Sequence, residues 1–280
     1  MQRSANTYFN LNGLWEFQPA APGQSPPFGE TLNGTILVPF PVESCLSGVG
    51  QNYQYMWYRL VFTISTPIDA AHRALMHFGA VDWQTSVWLN AVPLGNHTGG
   101  FDGFSFDLTG AIKSADNELI VFVYDPSDLG FQPNGKQRIS AITDPSGDTY
   151  TPSSGIWQTV WVEVVPLQYI TALKILTDTQ RLTLTVSSAF TGQPFTAVVT
   201  GDGGSTQSFM GTTGNILTVT IPNAKPWSPS SPFLYNLTVT LQATLADQVQ
   251  SYFGLRSFTL VCHCLINHNT DDELVYYLLS

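Results

Sequence analysis

The chain has 280 residues, of which 43% are hydrophobic and only 11% charged, and its net charge is −10. That length makes two domains the default expectation, with ample apolar material for two cores. The 10 Lys and Arg residues are scattered and form no basic patch, which excludes nucleic acid, because phosphate backbones demand clustered cations. No apolar run reaches the about 18 residues of a membrane span, so no membrane partner is expected either. With far fewer charges than the about 25% of ordinary soluble domains, the surface must rest on Ser, Thr, Asn, Gln and Gly. That suits a secreted or vesicular β-protein.

The start, Met1 to Tyr8, has no apolar core of signal-peptide length. Short β-branched and aromatic runs then follow to the end, broken by Gly, Pro, Asn and Asp. Tyr55 to Ser65, Gln84 to Asn90, Glu118 to Tyr124 and Ile156 to Val165 are examples. No window sustains a helical apolar stripe, which excludes alternating βα units and points to sandwiches. A boundary falls at Pro166. Before it the chain is rich in Trp, Phe and Tyr, with long irregular loops at 19–33 and 126–154. After it strands become regular and Thr- and Val-rich, as in Leu182-Thr183-Leu184-Thr185-Val186. The expected fold is all-β: a jelly roll of the galactose-binding type over residues 1–166, then an immunoglobulin-like β-sandwich over 167–260. The last twenty residues, 261–280, open with Val261-Cys262-His263-Cys264 and look unlike anything upstream, an aberrant tail. Asn33, Asn96 and Asn236 begin glycosylation sequons, again in favour of an extracellular or vesicular parent. Cys45 stands alone, and Cys262 and Cys264 imply no disulfide framework.

Several motifs occur together in order. Leu11-Asn12-Gly13-Leu14-Trp15-Glu16-Phe17 opens the first region, and Trp57-Tyr58-Arg59 begins an aromatic strand. Phe78-Gly79-Ala80-Val81-Asp82-Trp83 leads into Val87-Trp88-Leu89-Asn90, then Gly99-Gly100-Phe101 and Phe106-Asp107-Leu108-Thr109. Gly135-Lys136-Gln137 and Ser154-Gly155-Ile156-Trp157 follow. The second region carries Pro226-Trp227-Ser228-Pro229, Pro232-Phe233-Leu234-Tyr235 and Phe253-Gly254-Leu255-Arg256. Over about residues 8–260 this set resembles the N-terminal half of glycoside hydrolase family 2, which includes β-galactosidases, β-glucuronidases and β-mannosidases. The resemblance implies O-glycosyl hydrolysis in a full-length parent, performed by a (β/α)₈ barrel of about 250 residues that is missing here. Where the family has Asn-Gly after its tryptophan strand, this chain has Asn90-Ala91, so a wider turn is expected.

Retaining glycoside hydrolysis needs two carboxylates about 5 Å apart. The six Glu residues are 16, 30, 43, 118, 163 and 273. Asn117-Glu118 is tempting, since the family's acid/base Glu follows an Asn, but it opens a strand after a Ser-Ala-Asp turn and reads as a surface turn. Glu16 and Glu163 read as solvent-facing alternates within strands. No catalytic residue is assigned. The resemblance instead places loops of the first domain near the sugar, and five residues are substrate-binding candidates: Lys136, Gln137 and Asp148 in the long loop, and Glu43 and Ser44 after Val38-Pro39-Phe40-Pro41. Polar groups of this kind orient sugar hydroxyls. Trp15, Trp57, Trp88, Trp157 and Trp161 read as core, and His97 as a loop residue without ligating partners. Cys262-His263-Cys264 with His268 is too tightly spaced for zinc, so no metal and no cofactor is expected.

Three functions follow as expectations. The first is the non-catalytic N-terminal portion of a family 2 glycosidase, partnered by a weakly bound carbohydrate and by the missing barrel. The second is a free-standing carbohydrate-binding or adhesion module. The third is a non-functional gene fragment.

Overall fold

The computed structural model describes residues 1–3, 7–258, 261–262 and 276–277. The chain divides into two compact units, residues 3–167 and residues 168–280 together with 1–2.

The first unit contains β1 (Tyr8–Asn10), β2 (Gly13–Pro19), β3 (Gly34–Val38), β4 (Tyr55–Phe62), β5 (His72–Phe78), β6 (Val81–Asp82), β7 (Gln84–Leu89), β8 (Val92–Thr98), β9 (Phe104–Asp107), β10 (Asn117–Tyr124), β11 (Gly155–Ile156) and β12 (Val160–Pro166). They form a six-stranded sheet β3-β2-β4-β10-β7-β8, a four-stranded sheet β1-β12-β5-β9 and the short pair β11-β6. Strand periodicity of two explains the core: in β2, Trp15 and Phe17 are buried while Leu14 is exposed. These residues meet Ile36, Met56, Tyr58, Met76, Phe78 and Val121 between the sheets. This is the jelly-roll β-sandwich.

The outer face of the six-stranded sheet carries a second small core of Leu32, Trp57 and Ile120, with Trp88 and Phe122 packed on it. Leu32 and Ala20 come from the long loop 19–33, so that irregular segment is a cover for the aromatic face. Three charges pin it. Arg59 donates to Glu16 at 2.7 Å and to Glu118 at 2.7 Å. Glu16 Oε2 accepts the Leu32 N–H at 2.9 Å, and Glu118 accepts the Gly29 N–H at 3.0 Å. Glu118 therefore lies in a strand and anchors a loop. Asn117, fully buried, ties its turn through Lys113 N–H and Asn90 Nδ2. Reading that dipeptide as a surface turn missed this, because strand register alone does not reveal a loop folded over the face.

Four further expectations are corrected. Asn90 and Ala91 make a tight two-residue turn, with φ of 52° and 66° and Leu89 paired to Val92. Ala91 thus occupies the left-handed region that glycine usually fills. Glu163 is buried and ion-paired to Arg3. His97 lies in β8, stacked on Phe104 with ring centroids 4.0 Å apart. Trp15 and Trp57 are core residues, whereas Trp88, Trp157 and Trp161 are half-buried.

The second unit contains β13 (Ile170–Thr177), β14 (Arg181–Ser188), β15 (Pro194–Thr200), β16 (Thr206–Thr212), β17 (Ile216–Thr220), β18 (Tyr235–Leu241) and β19 (Asp247–Phe253). They form sheets β13-β14-β17 and β16-β15-β18-β19, the three-plus-four arrangement of an immunoglobulin-like sandwich. Buried Leu182, Leu184 and Val186 alternate with Thr183 and Thr185, facing Phe195, Leu237 and Val239. Arg256 is flanked by the rings of Trp227 at 4.6 Å and Phe258 at 4.3 Å. In the last twenty residues, Val261–Cys262 pairs with Tyr276–Tyr277. His263, Cys264 and His268 lie outside the described residues.

Candidate functional site

Loops of the first unit converge at the end of the six-stranded sheet where β4 begins and β10 ends, since Tyr55 pairs with Tyr124. Asp125 N–H continues that register by donating to Gln54 O at 2.9 Å. Loop 39–54, the last residues of β6 and the long loop 125–154 all arrive there. The connection is drawn tight by glycine: Gly155 has φ +86°, and a Cβ on it would stand 2.0 Å from the Tyr58 hydroxyl.

Three carboxylates are buried at this pole: Glu43 (9% exposed), Asp82 (4%) and Asp125 (1%). Glu43 accepts from Asn52 Nδ2 at 2.6 Å and from the Ser154 N–H at 3.0 Å. Asn52 Nδ2 is also within 3.1 Å of Ser127 Oγ. Asp125 Oδ1 accepts the Ser127 N–H at 2.8 Å, while its Oδ2 is buried with no hydrogen-bond partner among the described residues. Gln137 Nε2 donates to Asp82 at 3.4 Å, and Gln137 Oε1 accepts the Ser153 N–H at 2.6 Å. Burial, reinforced by the charges of Asp125 and Glu43, pushes Asp82 up to about 7, against the Gln137 hydrogen bond. Burial likewise raises Glu43 and Asp125.

The five residues singled out from the sequence separate into two kinds. Lys136 and Asp148 stand outside on the loop, 3.8 Å apart, with side chains 61% and 83% exposed. Gln137 and Glu43 turn inward and hold the loop. Ser44 caps the short turn Cys45–Ser47, its Oγ accepting the Leu46 N–H at 3.2 Å. Sequence reasoning missed Asp82, Asp125 and Asn52. An isolated acid in Phe78-Gly79-Ala80-Val81-Asp82-Trp83 was a signal for the first, since a lone carboxylate amid apolar residues is buried only with partners.

No His/Cys/Asp/Glu cluster among the described residues is arranged to hold a metal ion. Glu16 and Glu118 share Arg59 and both hold the loop 19–33 in place. Asn33, Asn96 and Asn236 are all exposed. A separate groove lined by Ile64, Pro67, Ile68, Thr109, Ile112 and Lys113 lies at the opposite end of the sheet, where Phe62 pairs with Asn117.

The chain carries two antiparallel sandwiches, the first with a polar loop cluster at one pole. Residues 169–256 match the model of the family Glycosyl hydrolases family 2. The chain is 28% identical over 323 residues to the beta-galactosidase large subunit of Leuconostoc lactis, covering 95% of this chain and 48% of that protein. To the beta-glucuronidase of Paenibacillus borealis it is 25% identical over 276 residues, covering 89% of this chain and 45% of that protein. Among solved structures, the beta-glucuronidase of Bifidobacterium dentium superposes with a TM-score of 0.73 at 20% identity, over 93% of this chain and 50% of that chain. The Lactobacillus rhamnosus beta-glucuronidase gives 0.73 at 19%, over 94% and 46%. The resemblance to glycoside hydrolase family 2 read from the motifs is borne out, and so is the all-β sandwich fold. The chain spans less than half the length of the curated relatives it matches.

Proposed function

We propose that this chain is the N-terminal, non-catalytic portion of a family 2 glycoside hydrolase, whose first sandwich presents the loop 135–153 to a carbohydrate. One observation carries this: the loop's stem is fixed by buried hydrogen bonds through Gln137 and Glu43, while its outer part offers Lys136 and Asp148 to solvent. A pre-positioned cation and carboxylate suit sugar hydroxyls, and a fixed stem reduces the entropy of ordering on binding. Such a rim buries little of a ligand, so affinity by itself is weak, about millimolar. Hydrolysis belongs to a partner barrel in the parent: Glu16, Glu43, Glu118 and Glu163 of the first sandwich are engaged in holding structure, and the remaining one, Glu30, stands exposed on the loop 19–33.

Purified chain should show no turnover of nitrophenyl β-galactoside, β-glucuronide or β-mannoside. Ligand-detected NMR should show weak binding of one of these, reduced by Asp148→Ala and untouched by Glu118→Ala. Turnover that disappears in Glu118→Ala would overturn the assignment, and so would binding unaffected by both Asp148→Ala and Lys136→Ala.

A further inference from the structure

Glu43, Asp82 and Asp125 come from three separate segments, yet all three are buried at one pole. The groups around them are neutral or acidic. Asp82 faces Gln137 Nε2, the Asp125 and Glu43 carboxylates and the backbone of Gly100, where a Cβ would stand 2.4 Å from Asp82 Oδ1. Glu43 faces Asn52 Nδ2 and the Ser154 amide and hydroxyl. Asp125 faces the Ser127 amide and the Ser154 hydroxyl. The charges of Glu43 and Asp125 reach the Tyr58 phenol, and that of Asp125 reaches Tyr124. Among the described residues no cation acts on any of the three. The nearby basic groups look elsewhere: Lys136 toward Asp148, and Arg138 Nη1 donates to Gln137 O at 2.6 Å. The single Ser154 hydroxyl proton cannot serve both Glu43 and Asp125, and Asp125 Oδ2 has no hydrogen-bond partner among the described residues. Three buried charges of one sign with no counter-ion are strongly disfavoured, so the cluster keeps a proton or opens to water.

We propose, resting on the carbohydrate-facing assignment above, that Glu43, Asp82 and Asp125 form a proton-operated anchor for the loop 135–153. With a proton held in the cluster, Gln137 bridges Asp82 and Ser153, and the loop keeps Lys136 and Asp148 in place. When that proton leaves, mutual repulsion of the carboxylates is relieved by admitting water. The yielding element is the loop, because Asp125 ends a central strand and Glu43 is braced by the turn behind it. Within residues 138–152 only Ala141 and Pro152 are buried, and the segment is otherwise held by partly exposed bonds such as Ile139 N–H to Asp128 at 3.0 Å. Gln137 and Asp82 are thus positioning residues for the exposed pair. Asp82 supplies the neutral-range response, since its carboxyl is the one raised to about 7.

Hydrogen exchange of the full chain, corrected for intrinsic base catalysis, tests this directly. Peptides covering 135–153 should lose about tenfold protection between about pH 5.5 and about pH 8.5, while peptides of the second sandwich stay constant. Asp82→Asn should abolish the pH response and leave the loop protected throughout. Should that variant not fold, Asp125→Asn decides the matter by the same measurement, because removing one of three charges should keep the loop protected at the higher pH. A flat wild-type profile overturns the anchor, as does a wild-type-like response in a folded Asp82→Asn or Asp125→Asn. Binding of nitrophenyl β-glucuronide and β-galactoside is measured alongside. No binding at any pH with the loop response present removes the carbohydrate assignment and leaves the anchor standing. Binding with a flat exchange profile removes the anchor alone.

Discussion

Glu43 Oε2 accepts the backbone N–H of Ser154 at 3.0 Å, joining two loops 111 residues apart in the chain. The same carboxylate holds Asn52 at 2.6 Å, so one buried acid sets the relative position of the two loops at the candidate site. Glu43→Ala would leave the Ser154 amide and the Asn52 carboxamide unsatisfied in the interior, a loss of about 2–3 kcal/mol. Glu43→Gln keeps an acceptor and removes a charge, and should lose less than about 1 kcal/mol at neutral pH. Urea unfolding of both variants checks the ordering; equal losses would mean the charge itself matters.

Ala91 follows Asn90 in a two-residue turn with both residues at positive φ. An L-residue with a Cβ is strained there by about 1–2 kcal/mol, and part of that is recovered by a glycine after its greater unfolded-state entropy is subtracted. Ala91→Gly should therefore stabilise the first sandwich by about 0.5–1 kcal/mol, seen as a higher melting temperature.

Arg3 is buried against Glu163, and Glu163 Oε1 also accepts from Trp161 Nε1 at 3.0 Å. His77 stacks on Trp161 with centroids 4.9 Å apart, and its Nε2 lies 3.9 Å from Glu163. Burial holds His77 below the ordinary imidazole range against the pull of Glu163, and Arg3 pushes it further down. Arg3→Met removes a cation and leaves a buried carboxylate, which should lower stability by about 3 kcal/mol. It should also raise the His77 titration midpoint, read from its ring proton shifts. An unmoved midpoint would show that the two charges are screened from each other.

The buried carboxyl cluster of the first sandwich and the paired Asp178 and Asp202 of the second should contribute to stability in opposite pH ranges. Asp82, Glu43 and Asp125 are raised by burial, so at these three sites the folded first unit binds more protons than its unfolded chain, whereas its Asp69 and Asp107 carboxyls are lowered and act in the opposite sense. The contribution of this cluster is fully present below the usual carboxyl range and declines as pH climbs toward about 7, by linkage. In the second unit, Asp178 is lowered by the amides of Gln180 and Arg181, and Asp202 by its hydrogen bond to Lys225. Their contribution is present above the usual carboxyl range and fades as acid takes them below it. Exchange-detected unfolding of each unit across pH separates the two trends. Parallel curves would contradict both.

Leu129, Phe131 and Tyr150 stand out of the loop region at 68%, 110% and 51% exposure. Exposed apolar groups grouped on one loop favour association. Sedimentation should show concentration-dependent self-association that Phe131→Ser reduces.

Local periodicity was enough to read the strands. The alternation in Leu11 to Phe17 and in Leu182 to Val186 sets which side chains face inward, because successive residues of a strand point to opposite faces. The motif order carried the family, and Lys136 and Asp148 were legible as exposed polar residues of a long loop. Tertiary structure alone decided the rest. Asn117-Glu118 looks like a turn until the loop 19–33 folds back and places Gly29 against Glu118. Glu163 reads as a solvent-facing alternate until Arg3 closes over it. Asp82 and Asp125 belong to the candidate site only because distant loops remove them from water together. Burial of a charge, and so its proton affinity, is a property of everything packed around it, and no local pattern along the chain records that.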